Sequence, residues 1–193
     1  MAFGRRKPRT PAEPLTESAL HAYALDALGR RMRTVADLKR LMRNRVEPGE
    51  DGEAKINRVV ARLKEYDLLN DTRYAEEFTR LRQTNQKLGK RRVRAELCQH
   101  GVHGDLITET LDASYADIKE EDLAFQHLQK KRAHAPKNDK EMNRLVGRLA
   151  RAGFSTAAIF KALRRLKADD ELLAALEKEA ATEDDSDGPN SEN

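Results

Sequence analysis

The chain has 193 residues, of which 38% are hydrophobic and 36% charged, a thin apolar share for one spherical domain of this length. Residues 169–193 hold ten acids and one base, which leaves 36 bases against 23 acids in residues 1–168, a surplus of 13. Such a basic body with an acidic tail is suited to a polyanion or an acidic protein surface. No apolar run approaches the roughly 20 residues of a membrane span, which argues against a membrane protein. Arg5, Arg6, Lys7 and Arg9 are followed by no apolar stretch of the kind a signal peptide needs, and Cys98, the one cysteine, allows no internal disulfide. A cytoplasmic location is the expectation.

Residues 1–14, with Pro8, Pro11 and Pro14 among four bases, read as a disordered basic arm. A first helix follows over 16–31, capped by Thr16, with Leu20, Ala24, Ala27 and Leu28 inward. Thr34 to Asp37 resembles a capping box opening a second helix that buries Val35, Leu38, Leu41 and Met42. A Gly/Pro/acid-rich insert spans 47–53. Ile56, Val59, Val60 and Leu63 then keep the i, i+3, i+4, i+7 spacing of a third helix. Asp71 is placed to cap a fourth, burying Tyr74, Phe78 and Leu81. Gly89 precedes a fifth, which buries Val93 and Leu97 and stops at Gly101 as a left-handed terminator. A sixth buries Ile107 and Leu111, and a seventh Leu123 and Leu128. Asn138 to Glu141 caps an eighth that buries Met142, Leu145, Val146 and Leu149 and stops at Gly153, and Ser155 caps a ninth. A short helix from Asp169 to about Ala180 is expected before a disordered acidic end. Period-two runs of β-branched residues are absent, so no strand is expected.

The elements repeat. Leu97, Gly101, Ile107 and Leu111 fall on Leu149, Gly153, Ile159 and Leu163 at a shift of 52. Val102/Ile107 and Phe154/Ile159 have the spacing of a hydrophobic staple. Leu41 matches Leu97 more loosely, at a shift of 56. A period near 50 residues predicts an all-α array of three tandem three-helix repeats, elongated and curved. Their expected bounds are 15–66, 67–114 and 115–168, followed by the acidic tail at 169–193.

The chemistry is that of a binding protein. Gly89-Lys90 lacks the upstream strand and glycine of a phosphate loop. Cys98 and His100 lie two apart and point to different faces of a helix, which argues against a metal site with His103. No carboxylate pair or nucleophile with a base stands out, so neither enzyme activity nor a cofactor is expected. The second helix of every repeat is basic. Candidate contacts to acidic protein or DNA phosphates are Arg40 and Arg43; Lys87, Lys90, Arg91, Arg92 and Arg94; and Arg144 and Arg148. Lys90, Arg91 and Arg94 are expected to lie away from the Val93/Leu97 seam. Asp105, Glu109 and Asp112 on the sixth helix argue against sequence-specific helix-turn-helix readout.

The run from Leu69 through Asp71, Arg73, Tyr74 and Ala75, then Gly89 through Glu96 and Leu97, then Gly101-Val102, resembles the central signature of the RecX family. The likeness covers roughly residues 16–166. It departs at His100, where the family usually has Lys, at Arg45, where it has Gly, and in the acidic insert and tail. The resemblance implies a regulator of the RecA recombinase in DNA repair, recombination and the SOS response. It would be a monomer of three three-helix repeats in a right-handed array, bound in the groove of the RecA filament on single-stranded DNA. There it would suppress ATPase, strand exchange and coprotease activity, with weak direct DNA binding as an accompaniment. A helical nucleic-acid-binding protein acting without RecA is the alternative.

Overall fold

The structure, a computed structural model, describes residues 13–166. The expected basic arm, apart from its last two residues, and the acidic tail with its short helix lie outside them. The described residues form an all-α protein with no strand. Its helices are α1 (Glu17–Arg30), α2 (Val35–Arg43), α3 (Glu50–Glu65), α4 (Asp71–Leu81), α5 (Lys90–Gln99), α6 (Gly104–Tyr115), α7 (Glu120–Lys130), α8 (Asp139–Arg151) and α9 (Thr156–Arg165), with a π-helical turn, Arg82–Gln86, extending α4. They divide between two compact units, one of residues 13–75 and 99–103, the other of 76–98 and 104–166.

Caps begin most helices where the sequence places them. The side chains of Thr16, Thr34, Asn138 and Ser155 accept hydrogen bonds from the amides of Ala19, Asp37, Glu141 and Ala158. Such a bond satisfies an amide the helix cannot, and is worth about 1 kcal/mol. The start of α4 departs from expectation. Asn70 Oδ1 accepts from the Arg73 amide (3.1 Å), while the Asp71 carboxylate accepts from the amide of Val35 (2.9 Å), the first residue of α2. Asp71 therefore caps a neighbouring helix rather than its own.

In the first unit α1, α2 and α3 enclose Leu20, Ala24, Leu38, Met42, Ile56, Val59, Val60 and Leu63. Full burial of each large side chain contributes roughly 1.5–3 kcal/mol. Val35, Leu28 and Leu41 border this core. In α4 the inward residues are Tyr74, Ala75 and Thr79; Leu81, expected inside, is 44% exposed, because at 100° per residue it falls about 100° round the helix from the centre of that buried face. The second unit buries Val93, Leu97, Ile107, Leu111, Leu128, Met142, Leu149 and Leu163 together with Phe154 and Phe160.

Two glycines end second helices in the left-handed region, Gly101 at φ +72° and Gly153 at φ +89°. Both also lie against another helix start. A Cβ on Gly101 would lie 2.4 Å from the Ala36 Cβ, and one on Gly153 would lie 2.2 Å from the Arg92 backbone nitrogen. Gly89 completes the second contact: its amide donates to the Ala152 carbonyl at 2.9 Å, and a Cβ there would lie 2.3 Å from the Gly153 carbonyl oxygen. Beneath this contact, buried His127 donates from Nδ1 to the carbonyls of Gln86 (3.0 Å) and Lys87 (3.1 Å) and meets the Phe154 ring edge-on at 6.0 Å.

Gly153→Ala should cost roughly 3 kcal/mol, from left-handed strain plus backbone overlap, read as a lower urea midpoint at unchanged slope. Burial holds the His127 imidazole below its usual range, with Lys131 and Arg148 adding to the effect against its two backbone bonds. The unfolded chain then takes up this proton first as pH falls below about 6.5, so this contribution to stability is full above that pH and declines below it. Thermal melts at pH 7.5 and 5.5 should show the drop, and His127→Gln should reduce it.

Candidate partner-binding surface

The basic side chains differ sharply in what already engages them. On α2, Arg43 makes a two-pronged pair with Glu53 (2.6 and 3.1 Å), which holds the Glu53 carboxyl below the usual range. Arg40 lies 3.4 Å from Asp37. On α5, Lys90 is half-buried and pairs with Asp112 of α6, and the hydrogen bond it donates lowers the Asp112 carboxyl. Arg92 meets Glu96 one turn on at 2.8 Å, and Arg94, also half-buried, donates to Thr108 Oγ1 at 3.3 Å. Lys90 and Arg94 thus fasten α5 to α6, rather than standing clear of the seam as expected. Arg91 alone of the group is exposed with no partner among the described residues. Lys87 lies off the helix, in a left-handed conformation (φ +53°) closing the π turn.

The basic face of α8 is different. Lys140, Arg144, Arg148 and Arg151 recur at i, i+4, i+8 and i+11, which places them within roughly 80° of one another around the helix. Met142, Leu145 and Leu149 are buried on the opposite side. None of the four meets a carboxylate among the described residues. The stripe expected on every second helix is therefore mostly engaged within the chain on α2 and α5 and available on α8.

The residues of the family signature prove to be joints. Buried Tyr74 meets His100 edge-on at 5.7 Å. His100 Nδ1 lies 2.7 Å from the Asp37 carboxylate, and the His100 carbonyl accepts from the hydroxyl of Thr34 at 2.5 Å. Thr34, 0% exposed, thus donates to one partner and caps α2 for another. Glu96 draws in Arg82 at 2.6 Å as well as Arg92, and Leu97 is fully buried. Arg73 remains exposed on α4.

Sequence reasoning did not single out the open cleft of about 480 Å³ in the first unit, lined by Arg31, Arg33, Arg40, Asn44, Gln99 and His100 with Asp37. Its parts are about 60 residues apart, and the Thr34–His100 and Asp37–His100 contacts assemble them. Arg33 is held there by a bond from Nε to the Ala27 carbonyl (3.2 Å). The sequence-predicted residues are divided between the units: Arg40, Arg43, Asp71, Arg73, Tyr74 and Gly101 belong to the first and the rest to the second. No group of histidines, cysteines and acids suited to a metal occurs among the described residues. No helix among them is long and apolar enough to cross a membrane.

Residues 70–111 match the family model described as RecX, second three-helix domain. The regulatory protein RecX of Mycobacterium sp. (strain JLS) is 35% identical over 153 residues, covering 77% of this chain and 81% of the relative. The chain belongs to the RecX family. Regulatory protein RecX of Deinococcus radiodurans is 34% identical over 83% of this chain and 74% of its own. The fold agrees with the crystal structure of RecX from Lactobacillus salivarius at a TM-score of 0.62 and 21% identity, covering 78% of this chain and 96% of that one. RecX proteins are named as regulatory proteins.

Thr34→Val should leave a carbonyl and a helix-start amide without their partner and cost about 2–3 kcal/mol, whereas Thr34→Ser should keep most of the stability. Urea denaturation of the two variants side by side checks this.

Proposed function

We propose that this protein binds the RecA filament on single-stranded DNA and inhibits or modulates RecA ATPase, strand exchange and coprotease activity. The observation that carries the reading is family membership over three quarters of the chain. Uncompensated cations on α8, with exposed Arg91, supply a chemistry suited to DNA phosphates or to RecA carboxylates. In this reading the three-helix sets at 15–66, 67–114 and 115–168 act as successive binding modules of a cytoplasmic monomer. The protein performs no bond chemistry of its own and regulates by occupancy.

The test is RecA's DNA-dependent ATPase, with inhibition expected at amounts well below one molecule per RecA subunit. No effect at equimolar protein counts against the proposal. Arg91→Ala, Arg144→Ala and Arg148→Ala together should weaken filament binding more than Lys90→Ala, Arg92→Ala and Arg94→Ala, whose charges have partners within the chain. If these cations meet phosphates, the substitutions should also flatten the salt dependence, by about one counterion unit for each phosphate no longer neutralised. If they meet carboxylates, affinity for bare DNA should be unchanged. Binding to bare single strands with equal affinity, and no effect on RecA, would favour action on DNA alone.

A further inference from the structure

Several cations of the second unit are answered by nearby acids. In the second unit, Arg82 and Arg92 share Glu96, Lys90 has Asp112, Lys161 has Glu121 at 3.7 Å, and Arg165 has Asp122. The outer face of α8 gathers four cations, Lys140, Arg144, Arg148 and Arg151, that meet no carboxylate among the described residues. Its own first-turn acid Glu141 accepts from the Lys137 amide at 2.9 Å and does not answer the stripe. Gly147 interrupts this face in mid-helix, where glycine costs about 1 kcal/mol relative to alanine. The bare position is used: the Arg151 guanidinium folds back over it, with Nη1 3.2 Å from where a Cβ would stand. Arg151 is thereby drawn back along the face that Lys140, Arg144 and Arg148 share.

The sequence holds a complement for that surface. Residues 169–193 carry ten acids and one base, and they begin three residues after Leu166, at the end of α9. Helix α9 packs on α8 in the same compact unit. At 3.3–3.6 Å per residue, residues 167–193 can reach up to about 90 Å, several times the roughly 20 Å length of α8. Attachment to the same unit makes the encounter intramolecular, so that even a weak contact is well populated.

We propose that the acidic segment 169–193 occupies the Lys140/Arg144/Arg148/Arg151 face of α8 in cis, as a built-in competitor that a polyanionic partner must displace. Such a contact has the Debye-screened character of an exposed charge pairing, and strengthens as salt falls. It leaves the buried side of α8 untouched.

The experiment uses the full chain and neither RecA nor DNA, so its outcome is independent of the function proposed above. A fluorescent peptide of residues 169–193 is titrated, at low salt, into the native chain and into a chain whose ten acids in that segment are changed to Asn or Gln. The peptide should bind the neutralised chain about tenfold more tightly or better, since its own segment no longer competes. Adding Lys140→Gln, Arg144→Gln and Arg151→Gln should abolish that binding with helicity preserved. A readout free of α8 substitutions is amide NMR: neutralising the acids should shift residues 140, 144, 147, 148 and 151 and leave α3 unmoved. Equal peptide affinity for native and neutralised chains, failure to bind either, binding that survives the α8 substitutions, or α8 resonances that stay in place would each overturn the assignment.

Discussion

Close backbone approach at the glycine that ends a second helix is the constraint that organises this structure. Gly101 lies against Ala36 in the first turn of α2, and Gly153 against Arg92 in the first turn of α5. The two contacts are related in sequence: 101 to 153 is a shift of 52, and 36 to 92 is the same shift of 56 that relates Leu41 to Leu97. Any side chain at either glycine would push apart two backbones rather than two flexible tips. Interiors are too closely packed to absorb that displacement locally.

Around each glycine the polar groups follow from the approach. Once the end of α5 abuts α2, the His100 carbonyl needs a donor and the Val35 amide an acceptor; Thr34 and Asp71 supply them. Where α8 ends, the Ala152 carbonyl takes the Gly89 amide, and Glu120 holds both the amide and the hydroxyl of Ser155, at 2.8 and 2.5 Å. The two joints use different side chains for one purpose, the satisfaction of helix-end groups brought out of water.

Other contacts between neighbouring helices govern the electrostatics. Fastening α5 to α6 and α2 to α3 draws Lys90, Arg94 and Arg43 into local pairs with Asp112, Thr108 and Glu53. Exposed pairs of this sort contribute little stability, but they lower the charge on offer to a partner. The cations of α8 meet no carboxylate among the described residues. A basic count read along the chain overstates the surface of α5 and understates that of α8.

Residue order alone dictates the helices, their caps at Thr16, Thr34, Asn138 and Ser155, the inward seams such as Ile56/Val59/Val60/Leu63, and both terminating glycines. These follow from local rules: a 3.6-residue period, a side-chain oxygen within reach of a free amide, and a left-handed residue without a Cβ. Three-dimensional packing is what makes Asp71 cap α2 rather than α4, sets the buried face of α4 at Tyr74, Ala75 and Thr79 so that Leu81 is left outside it, takes Lys87 off the basic helix, and gives Lys90 and Arg94 their partners. It also assembles the Arg31/Arg33/Arg40 cleft beside His100. Each of these depends on which residues, distant in the chain, share a surface after folding, and no spacing along the sequence carries that information.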